Sequence, residues 1–340
     1  MAEVIPIDRG RTEPGRSRCR ATTTTGRPCR NNAVDESGYC HLHGGAARAR
    51  HPSGTRIAGP GPALASDSGS VRELIARRAA AAYEVDEFGL DEDLYRNVLM
   101  PLVRPLYERW FRVRTLGVDR IPAEGPALLV ANHSGTVALD AVIMQYAVAN
   151  EHSNGRIVRN VGANLVFGLP FVGSFARKSG VAVAREEDAY GLLARDELLG
   201  VFPEGYKGVG KGWRERYRLQ RFGRGGFIEV ALRARVPIVP VAIVGAEEAY
   251  PMLANVKPLA HLLGLPYFPV TPTFPLLGPL GALPLPSKWI IEFGSPISLD
   301  EYDDEAADDA MLIFDLTDSI RDRIQQMLFK NLMLRGGAFL

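Results

Sequence analysis

Residues 127–149 read ALLVANHSGTVALDAVIMQYAVA. The first five form an apolar run of the length expected for a buried strand, and 141–149 is helix-like. His133 falls between them, on a strand-to-helix loop, where a side chain can be exposed yet firmly held. Only two other histidines lie beyond residue 51, His152 and His261. If the domain uses a base that works near neutral pH, His133 is the best placed.

The same alternation continues on both sides of this stretch. Short apolar runs at 180–184 (GVAVA), 198–202 (LLGVF), 236–244 (VPIVPVAIV) and 289–293 (WIIEF) read as strands. Helical patterns occupy 140–150, 188–195, 226–235 and 305–330. In the last, Ile313, Leu316, Ile320, Ile324 and Met327 share one face, and Asp308 and Asp309 near its start suit the helix dipole. The pattern predicts α/β layering: a mixed, mainly parallel sheet flanked by helices. The sequence shows no internal repeat.

The chain has 340 residues, enough for one sizeable domain with appendages. Its 40 Lys+Arg nearly balance 39 Asp+Glu, so whole-chain charge selects no partner. The N-terminus lacks the apolar core of a secretory signal. No apolar run of spanning length is free of helix breakers, so a membrane-spanning helix is not expected. Three cysteines argue against a purely intrachain disulfide framework. These features predict a cytoplasmic protein.

The first 70 residues differ from the rest. We divide the chain into a disordered tail (1–16), a small metal-stabilised module (17–45), a flexible Pro/Gly-rich linker (46–70), a helical lead-in (71–112) and a main domain (113–340). Cys19, Cys29, Cys40 and His43 use every cysteine, and Cys40-x-x-His43 has metal-ligand spacing. This set resembles small Cys-Cys-Cys-His zinc modules and predicts a structural zinc. His41 is an alternative fourth ligand, and reduced, independent thiols are the other reading. A segment this short would need metal to fold, so metal analysis of residues 1–60 decides the matter; about zero zinc per chain rejects the module. Ten arginines against five acids in residues 1–60 permit nucleic-acid contact, but no aromatic stacking set accompanies them. Nucleic acid is therefore not an expected partner.

Four short blocks carry the chemistry. The first is Asn132-His133 with Asp140. The second is Gly180–Arg185 (GVAVAR), a strand ending in Arg. The third, Phe202-Pro203-Glu204-Gly205, follows a strand and makes a turn that presents one carboxylate at the sheet edge. The fourth, Val236–Val241 (VPIVPV), is a strand with two prolines, placed at an edge or in a special register. Each has an ordinary reading alone: a structural histidine, Asp140 as a helix N-cap, a plain turn, and core packing.

Together, in this order, the blocks resemble those of the glycerolipid (lysophospholipid) acyltransferase family, over about residues 113–300. The similarity is greatest to the branch with monoacylglycerol and diacylglycerol acyltransferase-like proteins. There are departures. Six residues separate His133 from Asp140, a longer loop than the family's; the aromatic of the second block is absent; and Tyr206-Lys207 replaces the usual Thr-Arg.

The resemblance implies transfer of a fatty acyl group from acyl-CoA or acyl-carrier protein to a hydroxyl of a glycerolipid or lysophospholipid, without a catalytic cofactor. His133 would act as general base, Asp140 would hold its tautomer, and helix N-terminal N–H groups would meet the oxyanion. The other reading of Ser134 and Thr136 is as caps of that helix. Substrate binding falls to Arg185, to Phe202, Pro203, Glu204 and Gly205, and to Lys207. The other reading of Glu204 is a carboxylate that satisfies N–H groups of its own turn. No Gly-x-Ser-x-Gly elbow surrounds Ser134, so no covalent nucleophile is required.

Two further stretches bear on partners. Residues 207–224 hold Lys207, Lys211, Arg214, Arg216, Arg218, Arg221 and Arg224 against one acid, a strip suited to CoA phosphates or an anionic membrane, or simply a solvated face. Residues 259–286 contain no Lys, Arg, Asp or Glu, and their prolines forbid a continuous helix. They predict an irregular wedge against a membrane, which makes the enzyme peripheral to the cytoplasmic face; a loop packed over the core is the alternative. Two other functions stay open at this point: a catalytically impaired lipid-binding protein, and a zinc-module adaptor carrying a vestigial enzyme domain.

Overall fold

The computed structural model describes residues 76, 78–80, 83–168, 172–303 and 305–339. The segments assigned to the tail, the zinc module and the linker, with Cys19, Cys29, Cys40 and His43, lie outside the described residues.

Seven strands form one sheet: β1 (Arg114–Leu116), β2 (Ala127–Ala131), β3 (Val158–Gly162), β4 (Ala182–Val183), β5 (Leu198–Val201), β6 (Ile238–Val244) and β9 (Ile290–Phe293), in the order β1-β9-β6-β2-β5-β3-β4. Every neighbouring pair is parallel except β6 with β9. The sheet is thus mixed and mainly parallel, as the alternating pattern predicts. Two short strands, β7 (Ala254–Asn255) and β8 (Pro269–Val270), pair separately.

Alternation along the strands builds two apolar layers. Leu129, Ala131, Val241, Ile243 and Phe293 face a layer completed by helix α1 (residues 92–110) and α2 (Leu139–Glu151). Leu128, Val130, Leu199, Ala242 and Val244 face the other, completed by α3 (Glu186–Leu193), α4 (Gly226–Ala234) and α5 (Ala310–Arg335). On α5, Ile320, Ile324 and Leu328 are fully buried, each contributing about 1.5–3 kcal/mol.

Several boundaries differ from expectation, each for a local reason. The 71–112 lead-in is not one helix. Residues 83–90 are non-helical, held where Asp86 Oδ1 accepts the Phe88 and Leu90 N–H groups, and helix begins after Asp91, whose carboxylate accepts Leu94 N–H. Within α1, Pro101 and Pro105 lack donors, and the helix widens on either side to i→i+5 bonds such as Phe111 N–H to Leu106 O. The last helix starts at Ala310 because the Asp309 side chain caps it, accepting from Met311 and Leu312.

Strand β6 is not at an edge; it lies between β9 and β2. The special register is what accommodates Pro240. Ile238 pairs with Ile297 and Val241 with Phe293, so β9's side of the ladder carries one extra residue opposite Pro240. The missing N–H falls at this bulge, while Pro240 O still accepts Gly294 N–H at 2.8 Å.

Candidate active site

Three of the four quoted blocks lie at the carboxyl ends of parallel strands, where α/β sheets place their ligand sites, while Val236–Val241 runs into the first half of β6. His133 follows β2, Arg185 follows β4, and the Phe202–Gly205 turn follows β5. Asn132 sets the start of the loop that carries His133. Its side-chain amide makes two bonds to one residue of the next strand, accepting Ile243 N–H at 2.7 Å and donating to Ile243 O at 3.0 Å. Gly135 then turns the chain with φ +82°; a Cβ there would come 2.9 Å from Ala246 O.

The longer loop still brings the histidine and the acid together. His133 Nδ1 lies 2.8 Å from Asp140 Oδ2. The same oxygen accepts Ser134 N–H at 2.8 Å, and Oδ1 accepts Ala141 N–H at 2.9 Å. Asp140 sits in the first turn of α2, not at its N-cap, and its side chain is fully buried. With Nδ1–H donated to this carboxylate, Nε2 carries the lone pair, and it has no hydrogen-bond partner among the described residues. The imidazole is 15% exposed, beside the Phe202 ring at 4.6 Å between centroids.

Neither Ser134 nor Thr136 caps α2: its N-cap is Ala138, with no side-chain bond. Thr136 Oγ1 donates to Tyr250 O at 3.2 Å, and Tyr267 OH donates to Thr136 O at 2.7 Å. Burial, with the nearby Asp140 charge adding, pushes the Tyr267 phenol up to about 12, so it remains a donor.

Glu204 departs from both expectations. Its side chain is fully buried, and its oxygens are used by the protein: Oε1 accepts His133 N–H at 2.9 Å, and Oε2 accepts Gln220 N–H at 2.6 Å. It satisfies N–H groups of two other segments, not of its own turn, and leaves little for a substrate. The turn 204–211 packs directly on the His133 loop. At Gly208 a Cβ would lie 2.5 Å from His133 O and 2.8 Å from the Glu204 Cβ.

Arg185 and Lys207 are exposed, without a side-chain partner among the described residues. Arg185 is three strands from β2, about 14 Å along the same sheet edge. The basic strip is real for six of its seven members, which are exposed; Lys211 is buried. In the 259–286 segment, Leu262 (80% exposed), Leu276 (84%) and Leu280 (65%) face outward, while Phe268 and Phe274 pack on each other, their ring centroids 5.5 Å apart. Among the described residues, no helix is long and apolar enough to cross a membrane, and no group of three or more His, Cys, Asp or Glu could hold a metal ion.

Gln220 and Tyr267 are site residues that sequence reasoning missed, and Asn132 and Lys211 were named there without the roles the fold gives them. Asn132 was visible beside His133; nothing in the local pattern distinguishes the other three.

The Acyltransferase family model matches residues 112–244, an interval that holds all four blocks. A protein of Mycobacterium tuberculosis (strain ATCC 25618 / H37Rv) is 50% identical over 276 residues, covering 81% of this chain and 77% of the relative. A Bos taurus protein, "DGAT1/2-independent enzyme synthesizing storage lipids", is 25% identical over 228 residues, covering 67% of this chain and 62% of its own. The solved 1-acyl-sn-glycerophosphate (LPA) acyltransferase PlsC of Thermotoga maritima superposes with a TM-score of 0.45 at 15% identity, covering 70% of this chain and 80% of that one. The matched interval holds the mainly parallel sheet's carboxyl edge with its His–Asp pair, and the match makes this chain an acyltransferase. The chain belongs to the acyltransferase family.

Proposed function

We propose that this enzyme transfers a fatty acyl group from acyl-CoA or acyl-carrier protein to a hydroxyl of a glycerolipid or lysophospholipid, with His133 as general base. The observation that carries this reading is the 2.8 Å contact of Nδ1 with buried Asp140, which leaves Nε2 unpartnered. The acceptor O–H donates to Nε2; as its oxygen bonds to the thioester carbonyl carbon, the proton passes to Nε2. The tetrahedral oxyanion then collapses, the C–S bond breaks, and the thiolate takes the proton back. Asp140 stabilises the imidazolium formed between these steps. A positioned base of this kind contributes about 10²–10⁴-fold. The N–H groups of Gly135 and Thr136 have no partner among the described residues, which makes them the loop's candidate oxyanion donors.

Arg185, Lys207 and the exposed arginines of 214–224 are suited to the phosphates of the donor or acceptor. The outward leucines of 259–286 are proposed to lie against the cytoplasmic face of a membrane, where lipid acceptors reside. Tyr267 links that segment directly to the catalytic loop. The reaction is tested by following thiol release from an acyl thioester across a panel of lipid alcohols. Release that depends on the acceptor, with an ester product, is expected; equal release without any acceptor contradicts the proposal.

A further inference from the structure

In the sequence, Lys211 is one of seven basic residues between 207 and 224. In the fold it is set apart from them. Its side chain is only 3% exposed, and Nζ lies 3.1 Å from Glu247 Oε1, 3.5 Å from Glu204 Oε2 and 3.4 Å from Arg218 O. Glu204 is the carboxylate whose other oxygen receives the His133 N–H. A continuous line of contacts therefore runs from this buried ammonium to the backbone of the base.

We propose that Lys211 is a positioning residue for acyl transfer: by holding Glu204 beside the catalytic loop, it fixes the backbone at His133 from which the imidazole projects. This inference rests on the reading of His133 as the base.

Three physical points support it. A buried carboxylate needs a cation or several hydrogen bonds to remain charged. Here two buried carboxylates, Glu204 and Glu247, share one ammonium. Burial works against that ammonium, but Glu247 and Glu204 outweigh it and hold it above the ordinary lysine range. Burial pushes the Glu247 carboxyl up, against the pull of Lys211 and of the Tyr217 N–H. Without the lysine, two neighbouring buried carboxylates lose the cation between them and repel each other. Lys211 Nζ ties Glu204 Oε2 to Glu247, so without it the Glu204 carboxylate can shift, and with it the His133 N–H that its other oxygen accepts. Lastly, Gly208 leaves no slack between the turn and the loop, so a shift at Glu204 passes directly to His133.

The groups facing Glu204 and Lys211 are the His133 and Gln220 N–H groups, Glu247 and Arg218 O; Tyr217 N–H and Glu248 adjoin Glu247, and Arg335 pairs with Glu248. Replacing Glu247 removes one of the two negative charges that Lys211 offsets. This separates a charge-holding role from mere packing, since packing lost at Lys211 would not return when a second residue is changed.

The experiment uses the full chain and measures thiol release with one fixed acceptor. K211M is expected to lower kcat ~10–100-fold with KM for both substrates within ~3-fold, as a misplaced base would. K211M/E247Q is expected to regain at least ~5-fold of that kcat, and K211R to retain more than K211M. A K211M enzyme within ~2-fold of wild-type kcat overturns the proposal, as does a loss that E247Q does not restore. If K211M does not melt cooperatively, E204Q carries the test: kcat lowered ~10-fold at unchanged KM supports it, and unchanged kcat overturns it. H133A separates the two levels. Full activity in H133A removes the base reading itself; an inactive H133A beside a normal K211M removes only the role of Lys211.

Discussion

At the scale of single residues, the chemistry comes down to which atoms of His133 are engaged. Asp140 holds the ring at Nδ1, and Glu204 holds the backbone N–H, so the residue is fixed at two points while Nε2 remains available. Asp140→Asn keeps the shape but favours the opposite tautomer. It should lower kcat about 10²–10⁴-fold with little change in KM. Wild-type kcat in that variant, from steady-state thiol release, would mean that Asp140 does not orient the base. His133 and Asp140 were both legible in the sequence, because a strand, a loop and a helix in succession gave them their place. The role of Glu204 was not. Its carboxylate is claimed by His133 and by Gln220, sixteen residues further on, and sequence proximity predicts neither contact. Lys211 was hidden for a different reason: amid exposed Arg and Lys, no periodicity marks the one cation that turns inward.

At the scale of elements, the sheet's carboxyl edge does the assembling. β2 and β5 are adjacent and parallel, so the loops that follow them meet, and that meeting is the proposed site. The glycine between them is a sensitive point. Gly208→Ala would place a methyl group 2.5 Å from His133 O, and the neighbouring backbone has to yield. We expect kcat to fall at least ~10-fold and thermal stability to drop modestly. An unchanged kcat would show that the two loops move independently. The strands that ended in apolar runs were legible to within a residue or two. β3 was not, because Arg159 and Asn160 occupy its middle. Both are buried; Arg159 is paid for by an ion pair to Asp86 at 2.6 Å and by Gly180 O. A buried charge in a core strand erases the apolar run that identifies such a strand. The prolines of 236–244 raised the possibility of an edge strand; the bulge opposite Pro240 lets the strand sit at the centre instead.

At the scale of the whole molecule, one surface combines an uncharged, leucine-rich segment with a direct bond to the catalytic loop. Leu262, Leu276 and Leu280 are strongly exposed, and Tyr267 of the same segment donates to Thr136 O. Changing these three leucines to Asp should reduce flotation with anionic phospholipid vesicles at least ~10-fold while the melting temperature is kept, since no core contact is lost. Undiminished flotation would remove this segment from membrane binding. The fold class and the position of the His133 loop between a strand and a helix were readable from alternating apolar runs. The inward turn of Lys211 and the seat of the Pro-rich segment depend on contacts between distant parts of the chain, and these appear only once the sheet is assembled.

The central claim is that His133 takes the acceptor's proton. It is tested most directly by acceptor-dependent thiol release in wild type and in His133→Ala, each shown to be folded by a cooperative melt. A fall in kcat of about 10²–10⁴-fold in the variant, with substrate binding kept, is the predicted result. Equal rates in the two proteins would contradict it.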